Sequence, residues 1–155
     1  MNVPTGVVKA ASSEAVFVKK VIDGDTIQIS TGQKVRYIGI DTPETHDTRK
    51  PHQCYGKEAS EKNSELVQGK QIRMEKDVSE TDRYGRLLRY IYVVNPTTPS
   101  AELFVNEYLV KEGYAYAIKY PPDIKHDKYF HELQSEAQQS HKGLWSSCPA
   151  SETGL

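Results

Sequence analysis

Val35-Arg36-Tyr37-Ile38-Gly39-Ile40 runs directly into Asp41-Thr42-Pro43-Glu44. The first six residues are mostly β-branched and aromatic, as a strand requires, and they stop abruptly at a polar turn. Pro43 fixes its own φ and biases Thr42 toward extended geometry, so the two carboxylates beside it have little freedom. Upstream, residues 15–22 read as a first strand ending at the turn Asp23-Gly24-Asp25-Thr26, and Ile27 to Ser30 as a second. Thr31-Gly32-Gln33 then leads into a third strand, Lys34 to Ile40. A hairpin centred on Gly32 pairs residues whose numbers sum to about 64 or 65. That register sets Asp25 beside Gly39 or Ile40, one step from Asp41, so two distant acids share one end of a sheet.

Downstream, residues 45–54 read as an exposed loop and Gly56 to Val67 as a helix with a thin apolar side of Ala59, Leu66 and Val67. Gln71 to Asp77 and Arg86 to Val94 are the fourth and fifth strands. Ser100 is placed as the N-cap of a helix over Ala101–Glu112, with Gly113 as its stop. Residues 114–120 suit a short aromatic strand. Asp127 is placed as the cap of a last helix reaching His141, and Leu144-Trp145 as an anchor packed on the body. Five strands with a helix between the third and fourth, then two more helices, is an α+β order. It matches a five-stranded OB-fold β-barrel with three α-helices. The folded domain is expected over residues 14–148, between a lead-in at 1–13 and a loose tail at 149–155.

The chain has 155 residues, enough for one core, and a net charge of −1. No apolar run approaches the ~18 residues of a membrane span, and no signal peptide is visible. Charge alone does not point to nucleic acid, so any phosphate affinity must come from locally gathered Lys and Arg. Cys54 and Cys148 lie in no zinc or C-x-x-C spacing, and spacing leaves both free thiols and a single long-range disulfide open. His131-Glu132 is followed by Ser135 where a zinc-binding H-E-x-x-H motif needs its second histidine.

Five blocks in collinear order carry more than periodicity does. They are Val21-Ile22-Asp23-Gly24-Asp25-Thr26, Val35-Arg36 with Gly39-Ile40-Asp41-Thr42-Pro43-Glu44-Thr45, Tyr55-Gly56-Lys57-Glu58-Ala59, Thr81-Asp82-Arg83-Tyr84-Gly85-Arg86, and Gly143-Leu144-Trp145. With them the sequence resembles the staphylococcal nuclease (thermonuclease) family, from about residue 15 to 148. The resemblance implies a Ca²⁺-dependent phosphodiesterase that cleaves DNA and RNA and leaves 3′-phosphate ends. Carried over residue by residue, it implies that Asp25 and Asp41 bind the metal with the backbone carbonyl of Thr42. Glu44 matches the residue that positions or deprotonates the attacking water. Arg36 and Arg86 match the arginines that grip the scissile phosphate, and Tyr84 a contact to the neighbouring phosphate. Arg83, Lys50, Arg49 and Tyr120 are further candidates along the substrate path.

Each role has a duller rival. Asp25 and Asp23 could only shape their turn, Arg36 could only extend outward from an apolar strand, and Arg86 could only balance Asp82. His46 invites a general-base role, although a lone loop histidine is usually solvated. The chemistry itself is coherent: Ca²⁺ takes flexible shells of oxygen ligands, and guanidinium groups grip two phosphoryl oxygens where lysine cannot. The charge balance departs from the strongly basic relatives, and Glu80 stands near the Arg83–Arg86 turn, so weaker attraction to DNA and a shallower salt dependence are expected. The cysteines match a pair found in secreted relatives, which implies a Cys54–Cys148 disulfide and an extracytoplasmic home. A monomer acting on single-stranded or frayed nucleic acid, with no membrane association, is expected. The alternative is a non-catalytic binding module on the same fold.

Overall fold

The computed structural model describes residues 16–45, 53–98 and 100–154. Its centre is a barrel of five strands: β1 (Val16–Asp23), β2 (Thr26–Ile29), β3 (Lys34–Tyr37), β5 (Gln71–Glu75) and β6 (Leu87–Val93). Neighbours run in the order β3-β2-β1-β5-β6, and β3 closes on β6 in parallel, with Arg36 opposite Leu88. β1 is long enough to serve two partners, giving Val16 and Phe17 to β5 and Val18 to Asp23 to β2. Irregularities after Val18 and Val21 bend it between them, as bulges do at barrel corners. Ile27, Ile29, Val35, Ile72, Tyr90 and Ile91 on the barrel strands are fully shielded, inside the barrel or beneath the elements packed on it.

The hairpin register differs from the sequence expectation. Thr26 faces Arg36 and Gln28 faces Lys34, because the turn closes earlier, on an Ile29 N to Gln33 O hydrogen bond of 3.0 Å. Asp25 therefore lies opposite Tyr37, whose N–H donates to the Asp25 carbonyl at 2.9 Å. The third strand also stops sooner than expected. After Tyr37 the chain turns through Ile38 and Gly39, and Ile40–Asp41 forms a separate short strand, β4. Gly39 has φ +80, and a Cβ there would lie 2.9 Å from the Phe130 ring, so both backbone and packing require glycine. β4 pairs with β8 (Tyr116–Ala117), Asp41 opposite Tyr116.

Helix α1 (Gly56–Val67) has the predicted bounds and buries Ala59, Asn63 and Val67 on the barrel. The next helix begins later than expected. Leu103–Phe104 forms strand β7 on the edge of β6, Phe104 stacks on Tyr92 at 4.4 Å, and α2 covers only Val105–Lys111. Ser100 is thus no cap, because burying Phe104 draws the segment into extended pairing. Helix α3 (Asp127–Gln139) follows His126, with Asp127 as its first helical residue rather than its cap. Two single-turn helices, α4 (Leu144–Ser147) and α5 (Ala150–Thr153), follow, so the expected loose tail contains a helical turn. Leu144 and Trp145 pack with Ala137, Tyr55 and Tyr116 in a satellite cluster. Cys54 and Cys148 are joined with an S–S distance of 2.09 Å. The Pro121-Pro122 peptide bond is cis. Among the described residues, no helix is long and apolar enough to cross a membrane.

Two buried asparagines tie helices to the barrel. Asn63 accepts from the Tyr37 hydroxyl at 2.7 Å and donates to the Asp23 carbonyl at 2.8 Å. Asn106 on α2 accepts from Ile91 N–H and donates to the Ile38 carbonyl, both at 2.9 Å, and so fixes the start of the Gly39 turn. Replacing Asn106 by leucine strands two buried backbone groups. The variant should lose on the order of 2–4 kcal/mol in a urea unfolding titration, with the slope unchanged.

Candidate active site

Everything in the site converges on Arg36, which leaves β3 toward the Gly39 turn. Its Nη1 donates to the carbonyls of Tyr37 at 2.7 Å and Ile40 at 2.9 Å, bracing the turn from inside. Its Nη2 lies 3.4 Å from Asp25 Oδ2 and 3.3 Å from Asp41 Oδ1. Asp25 is buried, and its carboxylate also accepts from the Thr26 hydroxyl and the Thr42 N–H, each at 3.0 Å. Gly24 makes this closeness possible, since a Cβ there would meet Thr42 Oγ1 at 2.6 Å. Asp41 is more open, with 54% of its side chain exposed.

The acids press on one another. Burial, followed by the charge of Asp25, drives the Asp23 carboxyl up to about 7, with Glu44 adding to the effect. Burial also raises the Asp41 carboxyl. Asp25 and Glu44 push it the same way, and Arg36 opposes them. The charge of Glu44 is therefore felt by both aspartates. Thr45 N–H donates to Glu44 Oε1 at 2.9 Å, which sets the carboxylate over its own turn.

On its other side Arg36 lines a cleft of about 370 Å³ that also contains Arg86, Arg83, Tyr84 and Tyr120. Arg86 Nε donates to Asp82 Oδ2 at 2.7 Å, so the ion pair foreseen as its dull role is present in a residue that still faces the cleft. Asp82 further accepts from the N–H groups of Tyr84 and Arg86, holding the whole turn. Tyr84 is 67% exposed and lies between two guanidinium groups, Arg83 at 4.9 Å and Arg86 at 5.4 Å from its ring. Glu80 bonds to Arg89 and Lys76 rather than facing this turn.

The structure thus brings Asp25, Asp41, Thr42 and Arg36 into contact, with Arg83, Tyr84, Arg86 and Tyr120 around the adjoining cleft. Lys50, Arg49 and His46 lie outside the described residues. Asp82 reads in the sequence only as a counter-charge for Arg86; its hold on the backbone of the whole turn has no signal there. Sequence reading also missed Leu88 and Ile118, apolar residues of the cleft wall that read simply as core or strand. Among the described residues, no three His, Cys, Asp or Glu side chains form a ready metal cage. What the site offers a cation is two carboxylates and backbone oxygen, a hard-donor set suited to Ca²⁺ or Mg²⁺ and unsuited to zinc. Next to the carboxylates stand guanidinium groups, the natural partners of a phosphate.

Comparison with known proteins agrees with this chemistry. Residues 34–147 match the family model described as staphylococcal nuclease homologue. The chain is 40% identical over 139 residues to a thermonuclease of Staphylococcus hyicus, covering 88% of this chain and 78% of that protein. It is 40% identical over 135 residues to a thermonuclease of Staphylococcus intermedius, covering 85% and 76% respectively. It is also 40% identical over 139 residues to endonuclease YncB of Bacillus subtilis, covering 84% of this chain and 61% of that one.

The raised Asp23 carboxyl has a measurable consequence for the metal-free protein. Folded Asp23 keeps its proton while the unfolded residue, near the ordinary 3.8, releases it. Its contribution to stability therefore falls as pH rises from about 4 and levels off above about 7. Asp23→Asn should flatten this part of the stability profile, and chemical denaturation at stepped pH with chelator present measures it. An unchanged profile would show that Asp23 titrates normally.

Proposed function

This chain belongs to the staphylococcal nuclease family, and from that membership we propose that it is a Ca²⁺-dependent endonuclease acting on DNA and RNA. In this reading it cleaves the P–O5′ bond and leaves 3′-phosphate ends. The observation that carries the proposal is the position of Arg36, one guanidinium that contacts two acidic side chains and also lines the cleft shared with Arg86. Asp25, Asp41 and the carbonyl of Thr42 would hold the cation, which supplies positive charge to the phosphate and its attacking water.

The chain's own residues do the rest. Glu44 orders a water and takes its proton as the oxygen attacks phosphorus in line with the departing 5′ oxygen. Charge then builds on the phosphoryl oxygens, and Arg36 and Arg86 are the preformed donors that meet it. Asp82 keeps Arg86 from folding away, because Nε is already engaged while the terminal nitrogens remain for substrate. Tyr84 and Tyr120 are partly exposed at the cleft, where unpaired bases or flanking phosphates can lie, which favours single-stranded or frayed substrates. The Cys54–Cys148 disulfide supports an oxidising, extracytoplasmic setting.

Incubation with single-stranded DNA and RNA, with Ca²⁺ or with chelator, tests the reading. Cleavage should require Ca²⁺ and yield 3′-phosphate and 5′-hydroxyl ends by end-group analysis. Glu44→Gln should lower kcat by about 10²–10⁴-fold in a protein that still folds. Binding without cutting would identify a non-catalytic module instead, and cutting at the parent rate by Glu44→Gln would remove Glu44 from its role.

A further inference from the structure

The catalytic reading assigns Glu44 to the water but does not explain what holds Glu44 in place. We propose that Gln53 is its positioning residue, an inference that rests on that reading of Glu44. Each backbone donor of the turn has its own partner. Thr42 N–H goes to Asp25, and Pro43 has no N–H. Glu44 N–H donates to Gln53 Oε1 at 2.8 Å, and Thr45 N–H returns to the Glu44 carboxylate itself. Because that carboxylate is tied to its own neighbouring amide, it moves with the local backbone. Pinning the Glu44 backbone therefore helps to aim the carboxylate.

Gln53 pins it twice. Besides accepting from Glu44 N–H, its own N–H donates to the Glu44 carbonyl at 3.0 Å, so the two residues form a reciprocal pair. Gln53, although exposed, is itself anchored to the start of α1. Its carbonyl accepts from Gly56 N–H at 3.1 Å, in the turn that starts α1. Gly56 presses on the same backbone: a Cβ there would lie 3.0 Å from the Glu44 carbonyl and 2.5 Å from Thr45 Cγ2. The next residue, Cys54, is bonded to Cys148, and its N–H donates to Glu152 at 3.1 Å. Position is thus passed from α1 and the C-terminal turns, through Gln53, to Glu44. Gln53 never needs to touch substrate. It fixes the angle at which Glu44 meets the water, where small displacements cost large factors in rate.

The side-chain oxygen is the working atom, which sets the test. Gln53→Met keeps length and removes the acceptor, whereas Gln53→Glu keeps an acceptor oxygen. Both are compared with the parent and with Glu44→Gln on a single-stranded DNA oligonucleotide with Ca²⁺, alongside hydrogen exchange of the Glu44 amide. Gln53→Met should speed that exchange and lower kcat roughly tenfold with KM unchanged. Gln53→Glu should recover both. A Gln53→Met enzyme at the parent kcat, beside an inactive Glu44→Gln, would overturn the positioning role and leave the reading of Glu44 intact. So would a Gln53→Glu enzyme as slow as Gln53→Met, or a Glu44 amide already unprotected in the parent. If Glu44→Gln itself cuts at the parent rate, the reading of Glu44 fails first and this inference fails with it.

Discussion

The guanidinium of Arg36 is the constraint on which the site is built. It grips the carbonyls on either side of the Gly39 turn and lies within 3.4 Å of both Asp25 and Asp41. No other side chain could do this from one strand position. Lysine is a point charge with one nitrogen, whereas arginine presents five donors in a fixed plane. Two carboxylates crowded at a barrel rim repel each other, and the arginine offsets part of that repulsion, as its opposing effect on Asp41 shows. In the proposed function, catalysis and local folding share this one group. The turn that delivers Asp41 is closed by the residue proposed to meet the phosphate.

The rest of the fold keeps that turn in place from behind. Phe130 of α3 fills the space where any side chain at position 39 would stand, and Asn106 of α2 takes the Ile38 carbonyl. The parallel closure of β3 on β6 sets Arg36 against Leu88, two residues beyond Arg86, so barrel closure is what gives two distant arginines one cleft. The net charge of −1 is no obstacle to such a site. Acidic and guanidinium groups are matched locally: Asp25 and Asp41 lie against Arg36, and on the cleft side Asp82 is paired with Arg86. With that net charge, attraction for a polyanion has to come from these locally gathered groups rather than from the chain as a whole.

Much of this was legible in the chain. Strand periodicity, the Asp-Gly turn and the helix after the third strand were enough to propose the barrel, and the collinear blocks pointed to the family. What failed did so for local reasons. The hairpin register was misjudged because a glycine marked the turn but did not reveal which hydrogen bond closed it. Asp25 and Asp41 still met, yet through the extra turn at Gly39 rather than along one straight strand. The helix after residue 100 was drawn too long because its propensity ignored the stacking of Phe104 on Tyr92. Asp82 was legible as a counter-charge for Arg86 but not as the acceptor that holds its own turn, and Gln53 was not legible at all, because each works through hydrogen bonds to backbone N–H groups that side-chain type does not announce.

In the proposed site Asp25 and Asp41 act as one oxygen-donor pair beside Arg36. The most direct measurement of that pairing is a Ca²⁺ titration of the substrate-free protein, followed by NMR at the two aspartate carboxyl carbons. Both signals should shift together along a single saturable curve with one Ca²⁺ bound. Movement of one aspartate without the other, or of neither while Ca²⁺ binds elsewhere, would contradict the pairing.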